Sequence, residues 1–581
     1  MPHPDPSVWP AERSALCPER VLVAPGAPFA VVRGEDGGLL YANGPRTLRE
    51  FVEVAWGYGD RPFLVAESRS LTYGEFFAEA CSLARRLVEV YGLSRGDRVV
   101  VGMRNHPEWQ VAFWAAQLAG LVAVPLNAWW AEDEVAYALD DCTPKLLLVD
   151  GERVPRVRAW ARRNRVPGIV FHGEAEAGFE VYEPVADPAV APPLVDVRAE
   201  DDATIMYTSG TTGRPKGAVA THLAQAGAAL HPRFHASAAA LARGATPGLG
   251  PSPVVLMTFP FFHVAAFTTL YSMMGVGGSL VLMRTWDAEK ALALIEKHHV
   301  THYSGVPTTA LQLLEGAGRA GAELETLTHL NTGGAAAPPG LVARLTARYG
   351  HRIEPRSGYG LTETSGGVLA NYGDAYRENP GSVGRPSPAT EVRISGPDGG
   401  EVAEGQVGEL WLRGQSLVRG YWNDPEATAA AFQDGWFRTG DLATVHDGRV
   451  SIVDRLADMV VRGGENVYCV EVEAVLHDHP QVADAAVLGV PHPLLGEEVA
   501  AVVQLHPGAA VTVEELRAHV GESLAAFKVP AHVVVRDEPI PRNPTGKILK
   551  RELRGPVQEQ LGGGAARQPR STAAGEQLRN A

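Results

Sequence analysis

The feature that most constrains this chain is a ten-residue run, Thr208-Ser-Gly-Thr-Thr-Gly-Arg-Pro-Lys216-Gly217. It lies between the strand-like Ala203–Tyr207 and a helix expected to start near Thr221. Gly210, Gly213 and Gly217 let the backbone turn sharply and present N–H groups. Thr208, Ser209, Thr211 and Thr212 add hydroxyl donors, and Lys216 adds positive charge. Dense donors, little bulk and a cation are what a polyphosphate needs. The spacing is not that of a Walker A loop. Alone, the run establishes an anion-binding turn, and a Gly/Thr-rich surface turn has the same composition.

The segments around it alternate in period. Phe76, Ala80, Leu83, Leu87 and Val90 recur at helical spacing, with Gly92 as a stop. Arg98–Val101 reads as a short buried strand, and Pro107 opens a helix that Gly120 ends. Leu121–Pro125 and Lys145–Val149 read as strands, with a helix from about Ala131 to Asp141 between them. Strands separated by helices of this length predict βαβ units around parallel sheet. The stretch from Val111 to Trp130 is the most membrane-like, but Gln117, Gly120, Pro125 and Asn127 interrupt it. A buried helix followed by a strand is the reading. Residues from about Arg233 to Pro253, rich in Ala, Gly and Pro, read as a loop or a loosely held helix. From Ile394 the texture turns to short strands. Beyond Arg455 it becomes a compact α+β stretch, and 561–581 reads as a disordered tail.

Composition excludes some classes. A net charge of -15 disfavours nucleic acid as the partner. Cys17, Cys81, Cys142 and Cys469 lie far apart without metal-ligand spacing, which fits a reducing cytoplasm. The N-terminus lacks the plan of a signal peptide, and no integral membrane association is expected.

Four further blocks follow the first in order: Gly358-Tyr-Gly-Leu-Thr-Glu363, Tyr421-Trp…Gly435-Trp-Phe-Arg-Thr-Gly-Asp441, Asp454-Arg455…Gly463-Gly-Glu-Asn466, and Pro544-Thr-Gly-Lys547. With Thr208–Gly217 they resemble the signatures of the adenylate-forming superfamily, which includes acyl-CoA synthetases, luciferases and nonribosomal-peptide adenylation domains. The resemblance runs from roughly Thr47 to Leu553. It implies an α/β fold with a large N-terminal domain of βαβ subdomains plus a small β-rich subdomain (1–454). A small mobile α+β C-terminal lid domain (455–560) follows.

The resemblance also implies roles. Thr208, Ser209, Gly210, Thr211, Thr212, Gly213 and Lys216 would hold the phosphates of ATP. Thr362 would contact phosphate, and Glu363, a hard carboxylate, would bind Mg²⁺. Gly333, Gly334 and Ala335 would pack on the adenine, and Ser357, Gly358 and Tyr359 would also belong to the cofactor-binding set. Asp441 and Arg455 would hold the ribose. Lys547 would bridge the acyl carboxylate and the α-phosphate. Gly463 and Gly464 would line a channel for the pantetheine arm of coenzyme A after the small domain swings. The chain departs from the family at Ala457, where many relatives carry Asp or Lys.

The implied reaction is acyl-AMP formation with release of pyrophosphate, then a thioester on CoA. The alternative is a stand-alone adenylating enzyme that passes acyl-AMP to a separate carrier protein or enzyme. His263, in the apolar run Phe259–Phe267, matches a position beside the acyl pocket. Phe259–Thr269 contains no acid to pair an α-ammonium, which disfavours an amino-acid substrate. The small apolar segments Ser304–Thr308 and Gly333–Ala337 point to a hydrophobic acid, whether fatty, aryl or polycyclic.

Overall fold

The structure, a computed structural model, describes residues 18–35, 37–208, 214–337, 340–543 and 546–562. They divide into two compact units. One holds the residues up to Leu456 together with Gly546 and Lys547. The other holds Ala457–Asn543 and the residues from Ile548 onward.

The larger unit is built on two extended sheets. In the first, six neighbouring strands run parallel in the order 202–207, 122–125, 98–102, 146–150, 168–171, 179–181. Val99, Val100, Val101 and the run Leu146–Val149 are buried without alternation, as expected of strands covered on both faces. Helix Pro107–Leu118 is buried along its whole length. Two of its polar side chains donate internally: Gln117 Nε2 to Ala203 O at 3.1 Å and Trp114 Nε1 to Gln110 Oε1 at 3.2 Å. The membrane-like stretch is therefore a core helix, a turn at Gly120 (φ 67°) and strand Val122–Pro125. Among the described residues no helix is long and apolar enough to cross a membrane. In helix Tyr73–Glu89, Phe76, Ala80, Leu83 and Leu87 are buried, whereas Val90 caps the end and is exposed.

The second sheet has nine strands. Its parallel members 62–65, 279–282, 254–257, 302–305, 329–333 and 354–361 all end at the same edge. An antiparallel sheet of 390–395, 408–414, 432–433, 436–446 and 449–455 accounts for the β-rich texture after Ile394.

The helix expected near Thr221 starts at His222. Strand Gly217–Thr221, not read from the sequence, precedes it and pairs antiparallel with 202–207. Its small residues are buried without alternation and carry no period to read. Arg233–Ala242, expected to be loose, belongs to helix His222–Ala242, whose N-cap Thr221 accepts from Ala224 N at 3.1 Å. Alanine is the strongest helix former, and Phe234, Ala238 and Ala239 pack inward. The chain leaves the helix only at Arg243 and Gly244 (φ 71°).

In the smaller unit, strands 482–492 and 496–505 pair antiparallel and 532–536 joins in parallel. Helices Cys469–Asp478 and Val513–Ser523 cover one face through Val472, Leu476, Leu516 and Val520. Ile540 and, from helix Lys550–Gly562, Leu553 and Val557 cover the other. Burying an aliphatic side chain of this size contributes about 1.5–3 kcal/mol, so two covered faces suit a unit this small.

Candidate functional site

The neck of the Thr208–Gly217 loop is closed by its own ends. Thr208 N donates to Lys216 O at 2.9 Å, and Lys216 N donates to Thr208 Oγ1 at 3.3 Å. Ser209, Gly210, Thr211, Thr212 and Gly213 lie outside the described residues. Below the neck, Tyr207 Oη donates to Asp141 Oδ2 at 2.6 Å. Beyond it, Trp422 N donates to Gly217 O at 2.7 Å. That bond fastens strand 420–421 beside strand 217–221, with Tyr421 opposite Ala218. A Cβ on Gly217 would stand 2.8 Å from Ile205 Cγ2, so the neck needs the bare backbone there.

Tyr421 joins two of the sequence-predicted residues. Its ring lies 5.0 Å from Lys216 Nζ, and its hydroxyl donates to Glu363 Oε1 at 2.7 Å. Glu363 sits in the short 3₁₀ turn Thr362–Thr364 that follows strand 354–361. Thr364 Oγ1 fixes this turn by accepting from Leu361 N at 2.8 Å, and Val418 N donates to Glu363 O at 2.9 Å. Burial raises the Glu363 carboxyl above the usual carboxylate range despite the Tyr421 hydrogen bond. Sequence reasoning placed Tyr421 in a motif and gave it no task. Its partners lie far along the chain and show no local signal.

A second carboxylate is held differently. Asp441 and Arg455 face each other across the antiparallel ladder. Asp441 Oδ1 pairs with Arg455 Nε at 3.1 Å and Oδ2 accepts from Tyr359 Oη at 2.6 Å. Asp441 is buried, and Thr439 Oγ1 accepts from its backbone N–H at 3.0 Å. Burial, with the Asp441 charge beside it, keeps the Tyr359 phenol protonated far above its ordinary range.

Tyr359 belongs to the strand that carries Ser357 and Gly358. Gly333 lies directly opposite Gly358 in the parallel ladder. A Cβ on Gly333 would come within 3.2 Å of Gly358 O, and Gly334 takes φ 77°, a left-handed conformation that suits glycine. Ala335 continues the turn from the strand end.

His263 caps helix Val264–Met274, and its Nδ1 accepts from Ala265 N at 3.2 Å. Burial pushes it down to about 4, so it is neutral near pH 7. The preceding segment is clamped by Asn105, which donates to Phe259 O and accepts from Phe261 N, both at 2.9 Å. Ser304 lies 2.6 Å from Thr269 Oγ1 and is used inside the core.

One unit thus brings together Thr208, Lys216, Thr362 and Glu363 on one side, and Gly333–Ala335, Ser357–Tyr359, Asp441 and Arg455 on the other. Gly463 and Gly464 stand on the other unit. They form the two-residue turn between strands 460–462 and 465–467, with φ 61° and 90°. Lys547 is described, whereas Pro544 and Thr545 of its motif are not.

Comparison with known proteins identifies the family. The family model described as AMP-binding enzyme matches residues 51–422, and that of the AMP-binding enzyme C-terminal domain matches 471–547. The chain is 36% identical over 483 residues to a long-chain-fatty-acid–CoA ligase, FadD13, of Mycobacterium tuberculosis, covering 82% of this chain and 92% of that one. It is 37% identical over 489 residues to a feruloyl-CoA synthase of an Amycolatopsis species, covering 84% and 94%. Among solved structures it resembles the o-succinylbenzoate CoA synthetase MenE of Bacillus subtilis. In complex with its acyl-adenylate intermediate, that protein aligns at TM-score 0.73 and 28% identity, covering 87% of this chain and 97% of that chain. In complex with ATP and a magnesium ion it aligns at TM-score 0.71 and 29% identity, covering 87% and 98%. Both family models follow the order of the blocks, and the first spans most of the chain: it belongs to the AMP-binding enzyme family of the adenylate-forming superfamily.

Proposed function

We propose that the chain is an ATP-dependent carboxylic acid:CoA ligase. It joins the acid to AMP, releases pyrophosphate, and then transfers the acyl group to the thiol of CoA. The observation that carries this reading is the pairing of Lys216 and Glu363 through Tyr421, with Asp441 held by Arg455 and Tyr359 in the same unit. The first group suits a polyphosphate and its cation. The second suits a ribose, whose hydroxyls donate to a carboxylate already fixed in place.

Activation drives a carboxylate oxygen onto the α-phosphorus, so two negative groups must approach. Positioning and charge neutralisation are most of the requirement. Lys216 and the loop hydroxyls hold the phosphates, Gly333–Ala335 and Gly358 admit the flat base, and Lys547 bridges the acid and the α-phosphate. Mg²⁺, when bound, neutralises the phosphate oxygens. Glu363 fits it, as a hard carboxylate whose hydrogen-bond donor is a neutral phenol. The neutral His263 and the apolar wall Phe259–Phe267 favour a hydrophobic fatty, aryl or polycyclic acid. The segments 1–454 and 455–560 act as the large domain and a lid that swings between the two half-reactions. Gly463 and Gly464 then line the thiol path. A reducing, cytoplasmic location fits the four widely spaced cysteines.

The test is ATP–pyrophosphate exchange across a panel of carboxylic acids, repeated with CoA and thioester detection. We expect exchange and thioester with hydrophobic acids and none with α-amino acids. Lys547→Ala is expected to lower exchange by about 100-fold or more while sparing thioester formation from supplied acyl-AMP. Absence of exchange with every acid sinks adenylation. Exchange without thioester assigns the acyl group to a carrier protein or partner enzyme instead. Equal loss of both steps in the variant overturns the role of Lys547.

A further inference from the structure

Away from this site, at the edge where the parallel strands of the first sheet end, two imidazoles and a carboxylate converge. His106 caps helix Pro107–Leu118, Glu108 lies in its first turn, and His172 directly follows strand Gly168–Phe171. One ligand atom from each lies within 4.8 Å of the other two. Glu108 Oε2 and His172 Nε2 are 2.8 Å apart, and the two imidazole rings stack with centroids 4.1 Å apart. The strand order 122–125, 98–102, 146–150, 168–171 reverses its chain direction between the second and third members. Crevices at such points, outside the carboxyl ends of the strands, are where open parallel sheets take ligands.

We propose that His106, Glu108 and His172 bind a divalent transition-metal ion of the zinc class. Two imidazoles and a carboxylate suit Zn²⁺, Co²⁺ or Ni²⁺ and do not suit Mg²⁺, which takes oxygen ligands. Metal–ligand bonds of about 2.0–2.2 Å set tetrahedral ligand atoms roughly 3.3–3.5 Å apart. Glu108 and His172 stand at 2.8 Å and every pair lies within 4.8 Å, so small side-chain rotations bring the three atoms to that spacing. The ion takes the place of the hydrogen between Glu108 and His172, which goes to solvent from a protonated ring and moves to Nδ1 in a neutral one.

The backbone is shaped to present His172. Its φ of 51° is uncommon for a residue with a side chain. A Cβ on Gly151 would stand 2.8 Å from His172 O, so bare Gly151 lets the neighbouring strand ends meet. Asp150 lies 4.0 Å from His106 Nε2, but Arg153 pairs with both of its oxygens at 2.9 Å and takes up its charge. Arg69, 3.4 Å from Glu108 Oε1, and the positive end of the helix act against the ion. The site is therefore weaker than a closed structural zinc site. The loop it ties also carries Asn105, which clamps the Phe259–Phe261 wall.

The experiment uses the full chain, stripped by chelation and titrated with Co²⁺, followed by displacement with Zn²⁺. His172→Asn keeps a residue that tolerates left-handed backbone, and His106→Asn tests the helix side. We expect visible Co²⁺ absorption lost on Zn²⁺ addition, and affinity at least about tenfold weaker in each variant. The rise in melting temperature that Zn²⁺ gives the wild type, read as the difference between metal-loaded and metal-free protein, should disappear in each variant. Equal affinity in wild type and both variants overturns the proposal. So does wild-type protein that binds neither ion while remaining active in ATP–pyrophosphate exchange, an outcome that leaves the adenylating function standing.

Discussion

Glu363 and Asp441 stand in the same unit, each with a tyrosine hydroxyl on one oxygen, at 2.7 and 2.6 Å. They differ in what meets the charge. Asp441 also has the Arg455 guanidinium at 3.1 Å and lies opposite it in a sheet ladder. Glu363 has a neutral phenol as its side-chain donor, and burial raises its pKa. A buried carboxylate met by a cation is a finished structural element. One whose ionised form is disfavoured is held for a cation that arrives with a ligand. The contrast separates a carboxylate whose charge the protein itself meets from one whose charge it leaves unmet.

Substitution by the uncharged isostere tests this directly. Glu363→Gln keeps the shape and removes the charge, and exchange at fixed ATP should fall by about 100-fold or more. Asp441→Asn leaves the metal side intact. It should raise the KM for ATP by about tenfold with the Mg²⁺ dependence unchanged, because it leaves Arg455 with a weaker acceptor. Initial rates over a grid of Mg²⁺ and ATP concentrations separate the two. Identical patterns from the two variants would erase the distinction.

The smaller contact behind the contrast is the Tyr421 hydroxyl. Tyr421→Phe removes its bond to Glu363 and keeps the ring near Lys216. The Mg²⁺ concentration for half-maximal exchange should shift by about three- to tenfold, the worth of one ordinary hydrogen bond of about 1 kcal/mol. Tyr421→Leu, which loses the ring as well, should also raise the KM for ATP. A Phe variant with unaltered Mg²⁺ dependence would reduce Tyr421 to a packing residue.

How much of this was legible in the sequence depends on range. The strand and helix readings around Arg98–Val149 came from period and punctuation that act locally: a Pro at a helix start, a Gly at its end. Strand Gly217–Thr221 was invisible, because Gly-Ala-Val-Ala-Thr carries neither alternation nor bulk. The start of helix His222–Ala242 is legible near Thr221, but its second half from Arg233 reads as loose because its alanines look like low complexity, although alanine is the best helix former. Within the site, the motifs named Glu363, Asp441 and Arg455 but not what holds them. Tyr421 to Glu363 and Tyr359 to Asp441 are contacts between distant segments. They exist only once strand 420–421 is zipped to 217–221, and once strand 354–361 and the 436–455 ladder are in place. His106 and His172 are likewise joined by sheet order, with no spacing in the chain to announce them.

The smallest expected effect concerns stability, and its sign runs opposite to activity. Burial raises the Glu363 pKa above its unfolded value, so the folded chain holds that proton more tightly than the unfolded chain does. Folding is then favoured at pH values below the unfolded pKa, and that advantage is lost as pH rises through the folded one. At neutral pH without Mg²⁺ the buried charge is a cost. Glu363→Gln removes it, and should raise the melting temperature of the Mg²⁺-free protein by about one to two degrees while abolishing exchange. The gain should shrink as pH falls and wild-type Glu363 takes up its proton. Asp441→Asn should lower the melting temperature instead, because a charge-assisted pair with Arg455 is lost. Scanning calorimetry of the three proteins at neutral and mildly acidic pH reads both signs. A Glu363→Gln protein that melts below wild type at neutral pH would show that its carboxylate is already satisfied by the protein, and the two acids would then be alike.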